Sequence, residues 1–307
     1  MNVEPQSNEA TPAPSTHIKG RVISHLGKSL AVETPTGDVI LCHTRRRLST
    51  AAVGDWVLWE PCAGNLGRVV RILPRTSLLL RPSRNGKTRP VAANLDQLLI
   101  VFSVRPPCDL LLIDQYLVVC ECHSIHPILI FNKIDLGGGE ETIAPQLSIY
   151  QSLGYRILKI SAKTGQRLTE LRGILTGHTS MLAGQSGVGK SSLTNALLPD
   201  KELRVAALSR GSGHGKHTTT TATLYHLPDG GDLIDSPGVA IFGLAEISEQ
   251  ELAEGFREFK EHIEHCRFHN CRHVNDKGCA VRAAVDRGII SRDRYQRFLK
   301  LRDKLAV

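Results

Sequence analysis

Residues 184–191 read Gly184-Gln185-Ser186-Gly187-Val188-Gly189-Lys190-Ser191, a complete G-x-x-x-x-G-K-[ST] phosphate loop. The glycines let backbone N–H groups curl around phosphate oxygens, and the helix that must follow adds the positive end of its dipole. Lys190 is placed to reach the β- and γ-phosphates of a nucleotide and the Ser191 hydroxyl to bind Mg²⁺, with Ser192 next on the same helix.

A second motif names the base. Asn132-Lys133-Ile134-Asp135 ends an apolar run, PILIF. An ionised Asp135 can accept from both guanine N1–H and the guanine amino group, a pair of donors that adenine lacks. Lys133 can lay its alkyl stem against the ring. Ser161-Ala162-Lys163 ends the next apolar run, where the Ala162 N–H is expected to donate to guanine O6. Together with the phosphate loop, these two short motifs predict GTP and GDP as ligands.

The third part is Asp235-Ser236-Pro237-Gly238, after the apolar residues Leu233 and Ile234. Asp235 is expected to hold Mg²⁺ through water, and the Gly238 N–H to sense the γ-phosphate. Before it lies the Gly-rich segment 211–221, ending in a threonine run, as a switch ordered by γ-phosphate and Mg²⁺ requires. One of Thr218 to Thr220 should reach the metal, and Thr219 is the expected ligand. Val239 stands where many GTPases carry a water-orienting Gln, and valine cannot hydrogen-bond water. His217, beside the threonines, is the candidate catalytic group, with His214 as the alternative.

The motifs run base, phosphate loop, switches, the reverse of the usual order. A circular permutation of the strands accounts for this. It also makes the segment after Gly238 lead directly into the C-terminal region.

In that region Cys266-x4-Cys271-x-His273-x5-Cys279 supplies three thiolates and an imidazole within 14 residues, enough for one closed tetrahedral Zn²⁺ site of structural type. His262, His265 and His269 are expected on the surface.

These groups need elements to hold them. Residues 91–245 alternate buried strands with helices: LLIVFSV, a helix capped by Asp109, PILIFNK, a helix around 143–152, RILKIS, then SMLA before the phosphate loop. That alternation predicts a mostly parallel α/β sheet. Cys120 and Cys122 fall in apolar helix and read as core. Residues 18–80 show about five short β-branched runs separated by turns, fitting an OB-type β-barrel; 81–94 read as a basic linker, and the barrel and linker together are bounded at 18–90. Arg45, Arg46 and Arg47, with Trp56 and Trp59, are its candidate phosphate-holding and base-stacking residues. Residues 246–307 are expected to form a helical metal-binding domain, the stretch after Cys279 being helix with a basic face. Residues 1–17 read as a disordered tail.

The net charge of +8 is unevenly spread. Residues 18–90 carry 13 Lys and Arg against 4 Asp and Glu, residues 91–281 carry 17 against 21, and residues 282–307 carry 8 against 3. Two basic ends around an acidic centre suggest a polyanion such as RNA held by the terminal domains. No apolar run is long enough to span a membrane. The N-terminus lacks the basic start and apolar stretch of a signal peptide, and the cysteines have no disulfide-like spacing, so a cytoplasmic location is expected.

The barrel, the order NKID, SAK, GQSGVGKS, HTTTT, DSPG and the C-x4-C-x-H-x5-C cluster make the chain resemble the circularly permuted, small-subunit-dependent ribosome assembly GTPases of bacteria, the RsgA/YjeQ family, over about residues 18–305. The resemblance implies a monomeric GTPase acting late in maturation of the small ribosomal subunit. It would contact ribosomal RNA, act alongside other assembly factors, turn over slowly alone and be stimulated by the subunit. It also favours His217 as the catalytic histidine. The alternative is an RNA-binding assembly chaperone or scaffold whose nucleotide site is structural.

Overall fold

A computed structural model describes residues 17–27, 29–44, 48–82, 88–200, 222–236, 244 and 246–305. Of the expected tail, residues 1–16 lie outside this set, as do Arg45, Arg46 and Arg47.

Five short strands come first: β1 (Ile18–Leu26), β2 (Ser29–Glu33), β3 (Val39–Thr44), β4 (Trp56–Cys62) and β5 (Leu66–Ile72). They pair in the order β1-β2-β3-β5-β4, and β4 returns to β1, so the barrel is closed and has no free edge. Alternate residues point inward, and Val22, Leu30, Val32, Cys42, Val57, Trp59 and Val69 fill the interior. The two tryptophans therefore part company. Trp59 is core, whereas Trp56 is 37% exposed with the Lys19 ammonium 4.4 Å above its ring.

The expected linker has structure of its own. β6 (Leu78–Pro82) and β7 (Thr88–Ala93) form an antiparallel two-stranded sheet, tied to the barrel by a bridge between Val53 and Ala92. LLLRP and TRPVAA lack clear alternation, which hid the pairing.

The central sheet has the order β10-β9-β8-β11-β13-β12, formed by β8 (Gln97–Phe102), β9 (His126–Phe131), β10 (Arg156–Lys159), β11 (Thr179–Ala183), β12 (Thr223–His226) and β13 (Asp232–Asp235). All neighbours are parallel except β12, which runs antiparallel to β13 and pairs with β1 of the barrel. β8 explains the unbroken apolar run. Leu98, Ile100 and Phe102 pack toward α1 (Leu110–Cys122) and α2 (Glu140–Ser152), while Leu99 and Val101 pack toward α3 (Leu168–Leu175) and α4 (Lys190–Leu197). Asp109 caps α1 as expected, accepting from the Leu112 N–H. Cys120 is fully buried and Cys122 half-buried.

The C-terminal part contains α5 (Glu249–Glu254), α6 (Arg257–Ile263), α7 (Ala280–Asp286) and α8 (Arg292–Leu305). Two expectations change here. The basic stretch is two helices, separated by a turn where Gly288 takes φ +73°, a left-handed conformation that stops a helix. Its basic face is also partly internal. Arg294 and Arg297 are buried and converge on Asp114 of α1, which also accepts a hydrogen bond from Tyr150 of α2 at 2.6 Å. Arg294 reaches Glu258 of α6 as well.

Candidate nucleotide site and metal centre

The phosphate loop joins β11 to α4 at the carboxyl ends of the parallel strands, where open α/β sheets bind ligands. Gly184 takes φ +138°, and a Cβ there would lie 2.1 Å from the Val101 carbonyl oxygen, so only glycine lets the loop leave the strand so close to β8. Val188 is buried and holds the loop down, while Ser186 and Gly187 are exposed and Gln185 and Gly189 half-exposed. Ser191 and Ser192 stand exposed on the first turn of α4. The Lys190 ammonium donates to the Gly184 and Gln185 carbonyls at 2.6 and 2.8 Å. Burial pushes its pKa down, and the Asp235 carboxylate at the end of β13 opposes that shift. Asp235 ends β13, the parallel neighbour of β11, on the side where the phosphate loop begins.

The base-reading residues are wired into this loop. Asn132, 1% exposed, donates from Nδ2 to the Val188 carbonyl at 2.9 Å and accepts at Oδ1 from the Ala162 N–H at 3.0 Å. Lys133 holds a left-handed backbone, φ +67°, which aims its side chain across the site. Its ammonium donates to the Gly187 carbonyl at 2.6 Å and the Arg105 carbonyl at 2.8 Å. Ser161 donates to Asp135 Oδ1 at 2.6 Å and fixes the carboxylate while accepting from the Thr164 N–H. Ile134 packs at the margin of the core, and Lys163 is exposed.

The Ala162 N–H, the donor expected to meet guanine O6, donates here to Asn132 Oδ1, so the Asn132 amide bridges the two motifs. These bonds tie the N-K-x-D and S-A-K segments to the phosphate loop as one unit, with the Asp135 carboxylate held by Ser161. Arg105 contributes its carbonyl to the same unit, a role that no side-chain pattern could signal.

His217, Thr219 and Gly238, with His214, Thr218, Thr220 and Val239, lie outside the described residues.

In the C-terminal part the ligand atoms of Cys266, Cys271, His273 and Cys279 all lie within 4.8 Å of one another, a group that could hold a metal ion. His273 Nδ1 is 3.6 Å from Cys266 Sγ and 3.5 Å from Cys279 Sγ, so Nδ1 is the nitrogen turned inward. The His273 carbonyl accepts from the Tyr295 hydroxyl at 2.7 Å, tying the cluster to α8. Burial pushes the Cys271 thiol up to about 12 and raises Cys279 too, so a central cation is what would draw the thiolates out. His265 and His269 are exposed and His262 half-exposed, outside the cluster.

Two polar clusters were not foreseen. At the barrel, Arg21 of β1 bonds Asp232 and, at 2.7 Å, Thr179, while His226 bridges Asp232 (2.7 Å) and Glu33 (2.9 Å). At the C-terminal domain, Asp114, Arg294, Arg297, Tyr150 and Glu258 form the other. Only Asp114 left a trace in the sequence, as a lone acid inside the apolar helix LLLIDQYLVVC.

The RsgA GTPase family model matches residues 72–245. A small ribosomal subunit biogenesis GTPase RsgA from Pseudomonas aeruginosa is 47% identical, over 88% of this chain and 80% of that protein. The protein of the same name from Chromohalobacter salexigens is 47% identical, over 94% and 86%. Among solved structures, YjeQ from Thermotoga maritima superposes with TM-score 0.76 at 34% identity, over 94% of this chain and 99% of that one. YloQ, a circularly permuted GTPase, gives 0.74 at 29% identity, over 97% and 98%. On motif, site geometry and extent of similarity alike, the chain belongs to the RsgA GTPase family.

Proposed function

We propose that this GTP hydrolase is an assembly factor acting late in maturation of the small ribosomal subunit, bound to ribosomal RNA in its GTP form and released on hydrolysis. The observation that carries the nucleotide part is the pair of bridges from Asn132 and Lys133 to the phosphate loop. They support a site that senses base and phosphate together. In this reading Asp135 selects guanine, Lys190 neutralises the β- and γ-phosphates, and Ser191, Thr219 and Asp235 hold Mg²⁺. Gly238 reports the γ-phosphate. His217 orients the attacking water or accepts its proton.

The metal of the Cys3His cluster is Zn²⁺ in this reading. Zn–S and Zn–N bonds of about 2.3 and 2.0–2.1 Å at tetrahedral angles give an S···N edge of about 3.6 Å, and the observed edges are 3.5 and 3.6 Å. Four protein ligands leave no open position, so the ion's role is structural. The names of the relatives support the small subunit as partner, and the exposed Trp56 with Lys19 above it supports RNA contact by the barrel. The factor acts as a cytoplasmic monomer alongside other assembly factors. No described helix is long and apolar enough to cross a membrane.

GTP turnover titrated with purified small subunits tests this. Stimulation that saturates with subunit concentration is expected. Unstimulated turnover, with equal subunit affinity in GDP and in a non-hydrolysable GTP analogue, would instead identify a scaffold.

A further inference from the structure

β12 and β13 form a ribbon whose two ends have different tasks. The antiparallel register sets Thr223 opposite Asp235 and His226 opposite Asp232. Asp235 ends β13 on the side where the phosphate loop leaves β11, while Asp232 begins it, about 10 Å away at the rise of a β-strand.

The barrel grips both ends. At the Asp235 end, Ser24 of β1 pairs with Thr223, its Oγ 3.1 Å from Thr223 Oγ1 and donating to the Ala222 carbonyl at 3.4 Å. Ser24 and Thr223 are 2% and 3% exposed, so these bonds are shielded from water. At the other end Arg21 and Glu33 of the barrel engage Asp232 and His226. On its remaining side the ribbon joins the sheet through β11, the strand that carries the phosphate loop. Its height against that loop is therefore set from two sides, β11 on one and the barrel on the other.

We infer that Ser24, Arg21 and Glu33 of the barrel are positioning residues for Asp235, the carboxylate assigned to Mg²⁺. The inference rests on that assignment. None of the three touches nucleotide; each fixes the ribbon on which Asp235 is mounted. A load on the barrel, such as docking on RNA, then reaches the metal end of the nucleotide site through β1 and β12, a route separate from the chain connection after Gly238. Ser24 is the most telling of the three, because its hydroxyl holds the strand directly across from Asp235.

The test uses the full chain alone, without ribosomal subunits. GTP turnover is measured against Mg²⁺ concentration, and affinity for GDP is measured in chelator, for the wild type, Ser24→Ala, Arg21→Gln, Arg21→Lys and Glu33→Gln. The Mg²⁺ half-saturation is expected to rise about fivefold in Ser24→Ala, the equivalent of one hydrogen bond. It should rise less in Arg21→Lys than in Arg21→Gln, with GDP affinity in chelator unchanged throughout. Should Arg21→Gln fail to fold, Ser24→Ala and Glu33→Gln decide. A lower rate at unchanged Mg²⁺ half-saturation in these folded variants overturns the inference, because structural support alone would do that. No Mg²⁺-dependent turnover in the wild type would instead overturn the reading of Asp235, and the inference with it.

Discussion

The nucleotide domain is held by two polar seams of opposite character. The C-terminal seam is dry: Asp114 is fully buried, Arg294 is 1% exposed, and aromatic rings of Phe256, Phe259, Tyr295 and Phe298 pack beside them. The barrel seam is wet at its rim, where the His226 side chain is 52% exposed. Charges sealed in a dry seam cannot separate without a large desolvation cost, so that joint is fixed. The exposed His226 charge exchanges with water cheaply, so this rim can respond to pH, above an Arg21–Asp232 pair that is 10% and 15% exposed. The difference teaches that a cluster of arginines is not in itself a surface for RNA. Of the basic C-terminal residues, Arg294 and Arg297 are internal fasteners.

The contrast can be broken from the largest effect downward. Removing the metal, by chelation or by Cys279→Ser, should have the greatest effect, since structural zinc sites contribute folding energy directly. Hydrogen exchange should show lost protection across α7 and α8, with barrel amides unchanged; uniform protection would detach the cluster from the dry seam. Next, Asp114→Ala should cost about 3–5 kcal/mol in denaturant unfolding, because the Arg297 guanidinium loses its carboxylate and Arg294 keeps only Glu258. Replacing Asp114, Arg294, Arg297 and Glu258 together by apolar residues should recover much of that loss.

Arg21→Ala at the wetter seam should cost less, about 1–3 kcal/mol. A cost equal to that of Asp114→Ala would erase the distinction.

The smallest effect is one of pH. Hydrogen bonds from His226 to Asp232 and Glu33 raise the histidine to about 10. Burial alone would push Asp232 up, but His226 and Arg21 outweigh it and hold that carboxyl low. A raised histidine stabilises fully below its unfolded pKa of about 6.5 and loses that contribution as pH climbs through about 10. Stability should therefore decline between these values in the wild type. His226→Gln should flatten this decline, and an unchanged profile would remove His226 from the seam.

The parts of the molecule legible in the sequence were those built from contiguous residues. The phosphate loop, the N-K-x-D and S-A-K motifs and the four candidate metal ligands each fall within a short span of chain. The apolar run of β8 announced a doubly covered strand for the same local reason. What escaped was decided by distant partners. Hydropathy cannot distinguish a solvated arginine from Arg294, paired with residues 180 and 36 positions away. Nor can it show that β12 pairs with β1 of the barrel, that LLLRP pairs with TRPVAA, or that Asn132 takes the Ala162 N–H. The switch candidates His217 and Thr219 lie outside the described residues.

The central claim is that base motif and phosphate loop form one guanine-nucleotide site, and Asp135→Asn tests it most directly. The substitution exchanges an acceptor pair for an amide that can donate to the xanthine 2-oxo group. Affinity for GTP should fall by about tenfold or more, the equivalent of a charge-assisted hydrogen bond, while affinity for xanthosine triphosphate rises. GTP binding that is unchanged in Asp135→Asn, with no gain for xanthosine triphosphate, would contradict the account.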